Sequence, residues 1–218
     1  MTKRTIISRI ILSGCCLALV VLMAPALTSG QEQNENQQAT VPRDFGAWWL
    51  LPGPDPKITT RPIMLISDGS TVRGGSMLVR NRDHVFATVH TTGLTPGTVV
   101  TAWFGIFNNP GNCATRPCTP ADFSNPAVAG SRVNFGGQII GADGSATYGA
   151  FLKIGDTSTA FDGPGLLNPL RAEIHLVTRT HGQAILDNPE VLKQQLGMLN
   201  GGCPPNTCAN IQASVHQP

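Results

Sequence analysis

From Arg73 onward, apolar and polar positions alternate with a period of two, in segments rich in Val, Ile, Thr and aromatic residues. The alternation predicts strands at 73–80, 84–91, 98–107, 131–140, 145–153, 171–179 and 209–216. Turn residues separate them. Gly93-Leu94-Thr95-Pro96-Gly97 parts the second from the third, and Ala142-Asp143-Gly144 is a tight hairpin signal between the fourth and fifth. One helix is predicted over Pro189–Met198, with Asn188 as its N-cap and Glu190 in its first turn. About seven or eight short strands of this kind predict an all-β fold: a single β-sandwich or Greek-key barrel with one short helix near the C-terminus. No long repeat or linker interrupts residues 41–218, which are expected to form one domain. Within it, segment 41–72, with Trp48-Trp49-Leu50-Leu51 and several prolines, is expected to cross one end as an extended arm.

Strand phase says where polar side chains point, because direction repeats every second residue. In 171–179, Ile174 and Leu176 share one face, and Glu173, His175, Val177 and Arg179 share the other. In 84–91, Val85, Ala87 and Val89 oppose His84, Phe86, Thr88 and His90. In 209–216, Ile211, Ala213 and Val215 form the apolar set, which predicts an outward face of Asn210, Gln212, Ser214 and His216.

The head of the chain has a different pattern. Lys3, Arg4 and Arg9 precede an apolar run from Ile10 to Leu27, and Thr28-Ser29-Gly30 leads into polar Gln31. Residues 1–30 are therefore expected to be a secretory signal peptide, cleaved after Ala26 or Gly30. Two alternatives are a lipoprotein box, Leu12-Ser13-Gly14-Cys15, acylated at Cys15, and an uncleaved run kept as a membrane anchor. Residues 31–40 hold almost nothing to bury and are expected to be a disordered polar lead-in. The signal carries three of the 15 basic residues and none of the 13 acidic ones, so the formal +2 of the whole chain becomes −1 without it. That excludes a charge-based case for nucleic acid or for strong binding to anionic membranes. Charged residues are only 13% of the chain, about half the usual share, which excludes a coiled coil or a charged tail as the main architecture. A secreted or periplasmic location follows as an expectation.

Four cysteines remain beyond the signal, Cys113 and Cys118, Cys203 and Cys208, each pair enclosing proline. In an exported chain an even count points to disulfides, and two local bridges are favoured among three connectivities. The alternative is zinc held by four thiolates, against which oxidising conditions weigh.

Few residues carry candidate chemistry. His175, His181 and His216, with Glu173, are the candidate metal or catalytic set, for copper or zinc. Their plainer role is as solvated strand residues, or as hydrogen-bond partners tying the sheet to its loops. Trp103, Asn108 and Asn109 are a candidate sugar site, through stacking and amide hydrogen bonds; the commoner reading is that Asn-Asn-Pro-Gly is turn chemistry and the aromatics are core. Asp68-Gly-Ser, Asp143-Gly-Ser and Asp162-Gly-Pro-Gly are turn signals rather than calcium loops. G-x-S-x-G, H-E-x-x-H, a phosphate-binding Gly loop and a dinucleotide fingerprint are all absent.

Thr92–Gly97, Trp103–Asn109, Phe161–Pro169, Ala172–Val177, Arg179–Gly182 and Gln212–His216 together resemble a group of exported bacterial β-sandwich proteins of uncharacterised function. The chain is also loosely similar to CHRD-type domains, with Glu173-Ile174-His175 standing where those carry His-x-His. The expected function is a non-enzymatic binding or envelope-structural module for a small ligand or envelope component. The alternatives are a copper- or zinc-dependent protein or oxidoreductase, and a carbohydrate binder.

Overall fold

The computed structural model describes residues 56–218, so the expected signal peptide, the polar lead-in, and Trp48 and Trp49 lie outside the described residues. The elements run β1 (Lys57–Arg61), β2 (Met64–Leu65), β3 (Gly74–Arg80), β4 (His84–Thr91), β5 (Thr98–Phe107), β6 (Gly130–Ile139), β7 (Ala146–Lys153), β8 (Ala160–Asp162), β9 (Glu173–Gln183), α1 (Pro189–Gly197) and β10 (Ala209–His216). All strand pairs are antiparallel, in a four-stranded sheet β1-β3-β4-β7 and a six-stranded sheet β2-β10-β9-β5-β6-β8. The all-β sandwich and its single C-terminal helix are therefore present. α1 starts where its cap predicts, with the Asn188 side chain accepting from the Val191 N–H at 3.2 Å.

The core lies between the sheets, where the inward phases of the strands meet. Leu78, Val85, Ala87, Val89, Tyr148 and Leu152 from one sheet face Val100, Ala102, Phe104, Ile106, Ile174 and Leu176 from the other. The Tyr148 hydroxyl crosses this core to donate to the Val100 carbonyl at 2.9 Å. All ten residues of β5 are buried, because both of its faces are covered.

Residues 56–72 do not form an arm. β1 pairs with β3 and β2 pairs with β10, so this stretch extends both sheets. Its composition hid that role: in Lys-Ile-Thr-Thr-Arg the sole apolar residue, Ile58, is exposed. Backbone hydrogen bonds hold such an edge strand, and they leave no side-chain signature.

The phase of β10 is also opposite to that expected. Gln212, Ser214 and His216 point inward and are buried, while Ile211, Ala213 and Val215 are half-exposed. The inner surface they meet is polar. Gln212 Oε1 accepts from the Thr91 hydroxyl at 2.7 Å, and its Nε2 donates to the Thr92 carbonyl at 2.9 Å. A polar seam thus runs along the β10 side of the sandwich, beside an apolar core.

Candidate functional site

The outer face of the six-stranded sheet lies under two covers. The β5–β6 connection, residues 108–129, folds over one end. α1 and the loop that leads from it to β10 fold over the other, and the helix backbone comes so near β6 that a Cβ on Gly137 would strike the Leu196 carbonyl. The outward residues of β9 hold both covers, which is why polar residues on an outward phase are buried.

The first cover is closed by the Cys113–Cys118 disulfide, with Cα atoms 5.4 Å apart. Phe107, Cys118 and Val128 form its apolar centre, and the Phe107 ring lies 4.6 Å from Phe123 and 4.9 Å from His175. Glu173 is fully buried. Its Oε1 accepts from the Cys118 N–H at 2.6 Å and from His175 Nε2 at 2.7 Å, whereas Oε2 has no partner. Burial pushes this carboxyl up, but the hydrogen bonds from His175 and Cys118, with the charges of His175 and Arg116, outweigh it and hold the group below its ordinary value. Glu173→Gln removes the charge at which both donors aim. We expect a loss of about 1.5–3 kcal/mol, measured as a lower urea midpoint with an unchanged slope.

The second cover is closed by the Cys203–Cys208 disulfide, with Cα atoms 6.0 Å apart. His181 is fully buried beneath it. Its Nδ1 lies 3.0 Å from the Gly201 carbonyl and its Nε2 lies 2.8 Å from Thr101 Oγ1, which itself accepts from Trp103 Nε1 at 2.7 Å. A carbonyl can only accept, so the ring proton sits on Nδ1, and the Thr101 hydroxyl donates to Nε2. Burial lowers the pKa of His181, the Gly201 bond opposes that, and the charge of Arg179 adds to it. Arg179 secures the same cover, donating from Nε to the Leu199 carbonyl at 2.7 Å and from Nη2 to Asn200 Oδ1 at 3.1 Å. The loop's backbone lies hard against α1: Gly202 has φ +74°, and a Cβ there would sit 2.5 Å from Gln195 Cγ.

The candidate metal set is not one site. Glu173 and His175 are in contact, but His181 lies six positions further along β9, about 20 Å away, under the other cover. His216 points from the opposite face of the sheet, its register partner being Ile174 rather than His175. Both of its ring nitrogens are engaged between the sheets, Nδ1 with Thr59 Oγ1 at 2.8 Å and Nε2 with Ser76 Oγ at 2.9 Å. Distance along β9 keeps His175 from His181, and the reversed phase of β10 keeps His216 from both.

The candidate sugar site also changes. Trp103 is 4% exposed and offers no open face for stacking. Asn108 is buried and saturated: Nδ2 donates to the Ala129 and Gly165 carbonyls at 2.7 and 2.9 Å, and Oδ1 accepts from the Leu167 N–H at 2.8 Å. Asn109 is exposed, although its Nδ2 donates to the Ala127 carbonyl at 3.2 Å. The Asp68 and Asp143 turns close on Ser70 and Ser145, whereas Asp162 pairs with Arg132.

Asn108 and Asn109 nevertheless border a cleft of about 530 Å³ at the edge of the first cover, with Asn112, Arg116, Asn168 and Arg171. No Asp or Glu side chain lines it. The Arg116 and Arg171 guanidinium groups make no hydrogen bond or ion pair among the described residues. Neither arginine lies in a strand: Arg116 falls in the β5–β6 connection, and Arg171, at the start of the predicted strand 171–179, lies just before β9 begins at Glu173, so alternation did not point to the cleft. At the other cover, the ligand atoms of His181, Cys203 and Cys208 all lie within 4.8 Å of one another. No protein-family model matches the chain, and no curated protein matches it.

Proposed function

We propose that the protein is an exported, non-enzymatic binding module whose ligand site is the cleft between residues 108–116 and 168–171, and whose ligand is a small anion bearing carboxylate or phosphate. One observation carries this reading: two exposed guanidinium groups, neither in a hydrogen bond or close ion pair among the described residues, line one concavity with amide side chains and Pro218, and with no Asp or Glu side chain. Arginine forks match such oxygens with paired hydrogen bonds. The absence of an open aromatic ring favours an anion over a neutral sugar. Export is supported by the basic, then apolar, head of the chain and by two disulfides that suit an oxidising compartment.

The test is calorimetric titration with inorganic phosphate, sulfate, succinate and galacturonate at low and high salt. We expect saturable, salt-weakened binding of at least one of them, reduced about tenfold or more by Arg116→Glu with Arg171→Glu. Both arginines are exposed, and Arg116 is the smallest of the influences on Glu173, so the double variant is expected to stay folded with at most a small drop in thermal midpoint. A blank panel, or binding indifferent to the double variant, sinks the reading.

A further inference from the structure

The second cover holds a cluster that the anion-binding reading does not use. His181 Nδ1 lies 3.4 Å from Cys208 Sγ, and the Gly201 carbonyl oxygen lies 3.0 Å from that nitrogen and 3.7 Å from each of the two sulfur atoms. One imidazole nitrogen, two sulfurs and one carbonyl oxygen therefore converge on a single point. The imidazole is fixed from below, since β9 carries it and Thr101 holds its far nitrogen. Both cysteines are half-buried, within reach of a reductant. The first cover has no equivalent: Glu173 meets the backbone of Cys118 and not its sulfur.

We propose that reduction of the Cys203–Cys208 disulfide creates a site for a thiophilic cation, Zn(II) or Cu(I), with Cys203, Cys208 and His181 Nδ1 as ligands. Two thiolates and one imidazole leave a further position open for water or a ligand, a donor set that both ions accept.

A dithiol reductant supplies two electrons and two protons. The S–S bond breaks, two thiols form, and the reductant leaves as its own disulfide. The arriving cation then displaces both thiol protons to solvent. Nδ1 must also offer its lone pair, which requires the other neutral tautomer, with the proton on Nε2. Thr101 Oγ1 is placed to accept that proton at 2.8 Å, and its own hydroxyl turns toward the Arg179 carbonyl at 3.5 Å. The oxidised protein has no thiolate to offer there, so the two covalent states differ in whether a metal binds.

The experiment titrates zinc, and separately cuprous ion, against a chromophoric chelator under anaerobic conditions, using the oxidised and the dithiol-reduced full chain. We expect about one equivalent on the reduced protein and none on the oxidised form. His181→Gln is expected to weaken binding roughly tenfold or more, and Cys203→Ser with Cys208→Ser to abolish it. Circular dichroism of oxidised His181→Gln checks that this variant folds. Cobalt(II) on the reduced wild-type protein gives a readout independent of any variant: tetrahedral d–d bands with thiolate charge transfer. No gain of metal on reduction overturns the proposal. So does undiminished binding by folded His181→Gln or by the double serine variant, and so does an octahedral cobalt spectrum.

Discussion

Lowering the pH from 7 to 4 is expected to cost the fold about 3 kcal/mol through one histidine. His216 is fully buried in the polar seam, bonded to Thr59 in β1 and Ser76 in β3. Burial, then the charges of Arg80, Arg61 and His175, lower its pKa from 6.5 to about 4. The unfolded chain binds a proton there below 6.5, and the native state resists until about 4. Stability is therefore complete above pH 6.5, falls through the interval, and has lost the full contribution below pH 4. Carboxylates such as Glu173, held below their ordinary values, act mainly under pH 4.5, so the window from 6.5 to 5 isolates the histidines. Urea midpoints at pH 7, 6, 5 and 4 measure the slope. His216→Gln keeps an amide that can bridge the two hydroxyls without titrating, and it is expected to flatten that slope. An unchanged slope in the variant would show that His216 is not the group responsible.

A larger loss is expected at Arg80. Its side chain is fully buried with no acidic partner among the described residues. Burial lowers its pKa to about 10, so it is charged at neutral pH. Nη1 donates to the Pro169 and Ala172 carbonyls at 2.6 and 2.8 Å, and Nη2 donates to the His216 and Gln217 carbonyls at 2.8 and 3.4 Å. One planar fork thus joins β3 to the entry of β9 and the exit of β10. Arg80→Met avoids the cost of burying charge but leaves four carbonyls without their donor. Hydrogen bonds from a charged group count for more than neutral ones, and we expect a net loss on the order of 3–5 kcal/mol. Arg80→Lys keeps the charge but cannot span both carbonyl pairs, so it is expected to fall close to Met rather than to wild type. Equilibrium unfolding in urea checks both, and a lysine variant as stable as wild type would refute the role given to the fork.

Much of this architecture was legible because alternation is a strong signal when an apolar core lies on one side. β4 and β10 match their predicted limits, 84–91 and 98–107 mark β4 and β5 in full, and the capping of α1 by Asn188 is as its residues require. The failures share one cause. A two-residue alternation reports which positions are apolar, not which way is in. In β10 the inner neighbours are Thr91, Ser76 and Arg80, so the polar phase turned inward. In β9 the phase was right, but two covers bury its outward residues, and a reading of single strands contains neither cover. Trp103 and Asn108 follow the plainer of their two readings, core and turn chemistry, and their bonds to Thr101, Ala129 and Gly165 are satisfied within the fold. Arg116 and Arg171 sit in loops, where position is set by chain path instead of periodicity.

Both disulfides join cysteines only five positions apart, and each stays within its own cover. Closing so short a loop removes little freedom from the unfolded chain compared with a bond between distant segments. The long-range joins are made instead by Arg80, His216 and Tyr148. Thiol chemistry and global folding are therefore largely separable here. Reduction is expected to loosen two patches on one face of the six-stranded sheet while the sandwich beneath stays folded, a difference that residue-resolved hydrogen exchange would read.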